Sequence, residues 1–252
     1  MSIRVEHYFS VENFEFSEIF PTDKPVWAVL VSKFKEQWID CHLQPNVHLI
    51  ETQDGLVQYT QRFCQTEAGW QKLTSASSDL PTFEVHAGAF IKDAAIELRA
   101  GVVVESGAYI AGPTLIGEGT VVRHGAYIRG GVITGTDCVI GHATEVKSSI
   151  FLNGAKAGHF AYVGDTVLGN NVNLGAGTKI SNLKITNTEI SLAVDDKTYH
   201  TGLRKFGAIV GDAVQTGCNA VLNPGTLLGP KCMVYPNASV KAQVYKAKVI
   251  VR

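Results

Sequence analysis

The chain has no excess of either charge. Its 22 Lys and Arg stand against 23 Asp and Glu, a formal net charge of −1. That excludes bulk electrostatic attraction to nucleic acid or another polyanion. It also lacks a long apolar run: nothing approaches the ~18 residues a membrane span needs. Met1-Ser2-Ile3-Arg4-Val5-Glu6 does not open a signal peptide. The expectation is therefore no nucleic-acid partner, no membrane and a cytoplasmic protein. Cysteine is sparse, with five residues (Cys41, Cys64, Cys138, Cys218, Cys232) and no CxxC pair. An odd number without ligand spacing reads as reduced core thiols, with no disulfide framework and no metal. Tryptophan is rarer still, and Trp27, Trp38 and Trp70 all precede residue 80, so the chain divides into unlike parts.

What the sequence does have is a period. Every sixth residue from Val104 gives Ile110, Ile116, Val122, Ile128, Thr134, Ile140, Val146 and Leu152, all aliphatic but Thr134. Neither the 3.6 spacing of a helix nor the alternation of an ordinary strand fits this. Hexapeptides of this kind build a parallel β-helix in which 18 residues complete a triangular coil and coils stack about 4.8 Å apart. The predicted fold is all-β: a left-handed β-helix over 81–252 behind a small α+β cap over 1–80. The cap holds a helix over Val26–Ile39 and a hairpin around Gln53-Asp54-Gly55. The period slips by two between Leu152 and Leu168. It then breaks at about 183–206, where alternation around Asp195-Asp196-Lys197 predicts a protruding hairpin or loop. Loops projecting from a solenoid tend to carry function.

Corners following the inward aliphatics take Gly or Ala, as at Ala111, Gly117 and Gly141. Arg129 and Lys147 break that rule 18 residues apart, so they should stack about 5 Å from each other. Two cations at that distance repel unless an anion lies between them or both bend into solvent. His159, inside the slip and beside these cations, is a candidate acid–base group, with a structural histidine as the alternative.

The runs Gly141-His-Ala-Thr-Glu-Val-Lys147, Lys156-Ala-Gly-His159-Phe-Ala-Tyr162-Val-Gly-Asp165 and Asn171-Val-Asn173-Leu-Gly-Ala-Gly-Thr178 closely resemble the acetyltransferase half of the bifunctional UDP-N-acetylglucosamine pyrophosphorylase/glucosamine-1-phosphate acetyltransferases. Thr201-Gly-Leu-Arg-Lys205-Phe-Gly and Leu222-Asn-Pro-Gly-Thr are more similar to the archaeal-type sugar-1-phosphate nucleotidylyltransferase/acetyltransferases. The resemblance covers roughly 85–240. It implies acetyl-CoA-dependent N-acetylation of an amino-sugar phosphate, most closely glucosamine-1-phosphate, on the route to UDP-N-acetylglucosamine. It makes His159 the catalytic base, and Arg129, Lys147, Tyr162 and Asn173 ligands of the sugar phosphate. Asn182, Lys205 and Cys218 fall at the coenzyme end. Leu183, where the bacterial form has an aromatic, and Cys218, in place of its serine, depart from the pattern. It implies a homotrimer with sites between subunits, consistent with outward Tyr109, Leu115, Val121 and Tyr127. The roughly 80 residues before the repeat are too few for a nucleotidyltransferase domain and contain no Gly-rich phosphate loop, so no nucleotide sugar is expected from this chain.

Two other readings stand beside this one. The chain could be a non-catalytic sugar-phosphate-binding subunit of a separate nucleotidyltransferase. It could also be a zinc enzyme using the column His124, His142 and His159, although ligands on one column face along the chain instead of converging on a tetrahedron.

Overall fold

The computed structural model describes residues 3–74 and 79–252. From Thr82 onward the chain winds into a left-handed parallel β-helix with three flat faces. The tyrosine face begins with Phe90–Ile91, Tyr109–Ile110, Tyr127–Ile128, Glu145–Lys147, Tyr162–Gly164 and Lys179–Ile180. The apolar face includes Thr114–Ile116, Val132–Thr134, Ile150–Phe151, Val167–Leu168 and Ala208–Val210. The valine face includes Val103–Val104, Val121–Val122, Val139–His142, Lys156–His159 and Asn173–Leu174. Each strand pairs in parallel with its counterparts one coil above and below. The inward residues at the six-residue spacing are buried, from Val104 and Ile110 to Val146 and Leu152. Leu152, however, packs with the outer cluster on the apolar face, and Phe151 takes the interior position beside Thr134. Thr134 stays in the interior because its hydroxyl accepts the Gly117 N–H at 2.8 Å. The corner glycines answer to close approach: a Cβ on Gly117 would collide with the Gly135 carbonyl, and one on Gly141 with that of Gly158.

The slip has a different place from the one the sequence suggests. Ile133 pairs with Ile150, and Ile150 with Val167, two steps of 17 residues after the step of 18 from Leu115 to Ile133. Both lost residues come from the corner between the tyrosine and apolar faces. Three residues now separate Val146 from Ile150, and three separate Val163 from Val167, where four separate Ile128 from Ile133. Ser148 and Asp165 turn these tightened corners with positive φ, 48° each. His159 is therefore not on a bulged coil. It ends the regular strand Lys156–His159, in register with His142.

The first 80 residues do two jobs instead of forming one cap. The hairpin Thr52–Gln53/Leu56–Val57 turns through Asp54 and Gly55, both at positive φ. Gln61–Thr66 pairs antiparallel with Gly69–Lys72 and with Thr82–Val85 of the first coil. Together they close the open end of the solenoid, which would otherwise be an unpaired edge. The first fifty residues instead lie along the apolar face. Their expected helix is a 3₁₀ turn, Val26–Leu30, followed by α1, Ser32–His42. Phe9, Phe14, Phe20, Val26, Trp27 and Leu30 bury against Leu115, Ile133, Ile150, Val167, Ile209 and Leu227. Outward Leu115 is thus wholly covered within one chain.

The insertion does not protrude as a whole. Ser191–Val194 and Lys197–His200 form the expected antiparallel hairpin, but Ile190, Leu192 and Val194 are buried in the same apolar cluster. Trp27 packs against Tyr199 and Phe206, with ring centroids 6.2 and 6.3 Å away. The stretch that does project is the beginning, where Ile185 is fully exposed. The basic tail supplies the last strands, Val244–Tyr245 and Ile250–Val251. Of the cysteines, Cys64, Cys138 and Cys232 are buried; Cys41 and Cys218 are exposed and do not belong to the core. Among the described residues no helix is long and apolar enough to cross a membrane.

Candidate active site

The structure sorts the candidate residues onto two edges of the tyrosine face. Where that face meets the apolar face, Arg129 lies over Lys147, as the repeat arithmetic predicts. Their charges do not wait for an external anion. Arg129 Nη1 pairs with Glu145 Oε1 at 2.8 Å, and Lys147 Nζ with Asp165 Oδ2 at 2.8 Å. The first pair is exposed on both sides and contributes at most about 1 kcal/mol; the bond to Glu145 nonetheless raises the Arg129 pKa. The second is largely withdrawn from water, with Lys147 15% and Asp165 4% exposed at the side chain. Asn182 donates Nδ2 to the same Asp165 oxygen and accepts the Tyr162 hydroxyl at 3.4 Å. Tyr162 stays a phenol because burial, then the carboxylates of Glu145 and Asp165, raise its pKa. An ammonium carries three donors, and Asp165 takes one of those on Lys147, so the corner keeps donors for an anion.

The insertion leaves from this corner directly after Asn182, and an isolated bridge from Leu183 to Lys205 closes its neck. Asn182 and Lys205 are thus neighbours of Lys147, although the family pattern assigns them to the coenzyme. Sequence reasoning missed Glu145 and Asp165 as partners. The signal for Asp165 was present, since it stands 18 residues after Lys147. Lys35 of α1 was also missed. Its ammonium is buried behind Asp165 and Lys147, and no feature of the repeat points to it.

His159 occupies the opposite edge, where the valine and tyrosine faces meet. Coil by coil this edge reads His124, His142, His159, Ala176 and Cys218, through the strand pairings that precede each residue. The His124 and His142 rings stack at 5.5 Å, and each Nδ1 meets a backbone carbonyl, of Ser106 at 2.6 Å and of His124 at 2.9 Å. That arrangement runs along the solenoid and does not converge on a metal; among the described residues no such cluster occurs. Beyond His159 the column shrinks to Ala176 and exposed Cys218, so one side of the imidazole is unobstructed. Asn173 points outward on the valine face between Lys156 and Gln215, away from both edges. His159 and the cations are therefore not adjacent. Between them lies one strand width, occupied by half-buried Tyr162.

Residues 110–250, more than half of the chain, match the family described as the GMPPB C-terminal domain. The chain belongs to this family. Arg129, Lys147, His159, Tyr162, Asp165 and Asn182 fall inside the matched stretch, and Lys35 falls outside it. Among curated relatives, the bifunctional sugar-1-phosphate nucleotidylyltransferase/acetyltransferase of Sulfurisphaera tokodaii is 42% identical over 100 residues, covering 40% of this chain and 25% of that protein. The bifunctional protein GlmU of Methanococcus vannielii is 34% identical over 108 residues, covering 40% and 26%. The match to this chain thus spans about a quarter of these relatives. Among solved structures, a UDP-N-acetylglucosamine acyltransferase from Campylobacter jejuni aligns at 16% identity and a TM-score of 0.34, over 64% of this chain and 69% of that one.

Proposed function

We propose that this chain transfers an acetyl group from acetyl-CoA to the amine of an amino-sugar phosphate, with glucosamine-1-phosphate as the acceptor. The observation that carries this reading is one open face with an imidazole on one edge and a two-cation corner on the other. A strand of three residues spans about 10 Å, the scale of a hexosamine phosphate. The phosphate would sit on Arg129 and Lys147 and the ring against Tyr162, with the amine toward His159. That alignment makes attack effectively intramolecular. The amine adds to the thioester carbonyl and His159 takes its proton. The Ala176 N–H, at the same edge on the next coil, would steady the oxyanion. Collapse then breaks the C–S bond, and His159 returns the proton to the departing thiolate. The relatives' printed names, which pair nucleotidylyl transfer with acetyl transfer, support the reaction class. The product, N-acetylglucosamine-1-phosphate, would be the precursor of UDP-N-acetylglucosamine in the cytoplasm.

The test is thiol release from acetyl-CoA with glucosamine-1-phosphate, galactosamine-1-phosphate and glucosamine-6-phosphate as acceptors. Turnover with none of them would leave the face as a binding surface. Arg129→Ala should raise the KM for the sugar phosphate about ten- to hundredfold, the cost of one charge-assisted contact of about 1.5–3 kcal/mol, while the KM for acetyl-CoA stays put. Equal KM values would make Arg129 a surface charge held by Glu145.

The same reading expects a homotrimer. The strap covers the apolar face, so closure would use the tyrosine and valine faces, where Tyr109, Tyr127 and Val121 remain without a partner from their own chain's strap. Threefold contact there brings a second copy against the His159 edge. Light scattering at micromolar concentration should return three times the 27.1 kDa chain mass; a monomer mass would remove the shared site.

A further inference from the structure

Lys35 has an environment that packing alone does not explain. Its side chain is fully buried, with 0% exposure, and Nζ has no hydrogen-bond partner. It belongs to α1, whose Ile39 packs in the cluster on the apolar face. The charged groups acting on it are Asp165 and Lys147 of the cation corner and Glu36 of its own helix. Burial lowers its pKa from the ordinary lysine value to about 7, with Lys147 adding to that and Asp165 and Glu36 opposing it. A methionine would fill similar volume without the desolvation cost.

We propose that Lys35 is a positioning residue of the anion site, a titrating ammonium behind Lys147 and Asp165 whose protonation is coupled to phosphate binding at the corner. This rests on the reading of Arg129 and Lys147 as the phosphate ligands. With Lys35 neutral, Arg129 and Lys147 balance Glu145 and Asp165, and a phosphate dianion leaves the corner with two uncompensated negative charges. Protonating Lys35 offsets one of them at short range in a poorly solvated setting. Lys35 does not touch the ligand. It acts through Asp165, because a charged Lys35 competes for that carboxylate and frees Lys147 to face the anion. The sign follows from linkage. Below about pH 7 Lys35 is already charged and its contribution to affinity is complete. As pH rises, binding must take up a proton, and the contribution fades through the higher pKa of the bound state.

The experiment is calorimetric titration of the full chain with N-acetylglucosamine-1-phosphate, which has no amine of its own, between pH 6.5 and 8.5. Two buffers of different ionisation enthalpy give the number of protons exchanged. Wild type should take up a proton near pH 7.5–8 that Lys35→Met does not. The variant should bind about tenfold more weakly at pH 6.5, and the two should converge as pH rises by about tenfold per unit. Lys35→Gln repeats the test with a polar neutral side chain, should the methionine variant fold poorly. Binding weakened by Arg129→Ala, but with the same affinity and proton uptake in wild type and both Lys35 variants, overturns the role of Lys35 alone. Binding that is absent in wild type, or indifferent to Arg129→Ala, overturns the phosphate site and this inference with it.

Discussion

His159→Asn should lower kcat by about 10²–10⁴, the usual worth of a positioned general base, while leaving both KM values and the unfolding midpoint nearly unchanged. Three observations lead there. His159 ends a regular strand on an accessible edge and is exposed, so no packed core depends on it. The column beyond it narrows to Ala176, which clears the approach for a thioester. Its position on the tyrosine face, one strand width from Lys147, matches an acceptor held by its phosphate. Asparagine keeps hydrogen-bonding capacity but cannot accept a proton at neutral pH, so the loss should appear in kcat and not in binding. Full turnover with a midpoint lowered by several degrees would instead make His159 structural, like the stacked His124 and His142.

Asp165→Asn should be the most destabilising change at the corner, at about 3 kcal/mol in chemical denaturation. Removing one member of a buried ion pair typically costs about 3–5 kcal/mol because the other charge is left uncompensated. The lower end applies here because Lys147 retains 15% exposure and can turn toward water. Asparagine is the right replacement because it tolerates the positive φ of this position, so the loss reports charge and not backbone strain. Three groups lose their acceptor together: Lys147, Asn182 and, at longer range, Lys35. The double variant Lys147→Met/Asp165→Asn should recover much of the loss, since neighbours in one network are not additive. A single-variant loss under about 1 kcal/mol would mean that the pair is effectively solvated. The exposed Arg129–Glu145 pair one coil away serves as the control, and Glu145→Gln should cost no more than about 1 kcal/mol.

The contrast between these pairs explains why the corner was only half legible. Arg129 over Lys147 follows from counting 18 residues, and the pairing of Tyr127 with Glu145 bears it out. The counter-ions could not be read the same way. Glu145 faces outward two residues before Lys147 and reaches Arg129 across the coil spacing. Asp165 turns inward because its corner has lost a residue and adopts positive φ. His159 was misplaced for a related reason. A slip in a linear pattern does not say which of three corners absorbs it, and both deletions fell on the cation corner, so the histidine stayed on a regular strand at the other edge.

The sequence by itself determined what the repeat determines: the six-residue period, the aliphatic interior, small residues where coils nearly touch, and the columns into which Arg129, Lys147, His124 and His142 fall. These are local consequences of one geometry repeated, and each needs only a neighbour one coil away. The tertiary structure alone decided what contacts far from the period impose. The first fifty residues and the hairpin at 191–200 cover the apolar face, because a row of outward Leu, Ile and Val must be buried against something and the strap's aromatic side chains supply that surface. That choice takes the apolar face out of any contact between copies. It also carries Lys35 to a corner more than a hundred residues away in sequence, where an unpartnered ammonium meets Asp165. No periodicity encodes such a meeting, because it depends on the path of a segment that does not repeat.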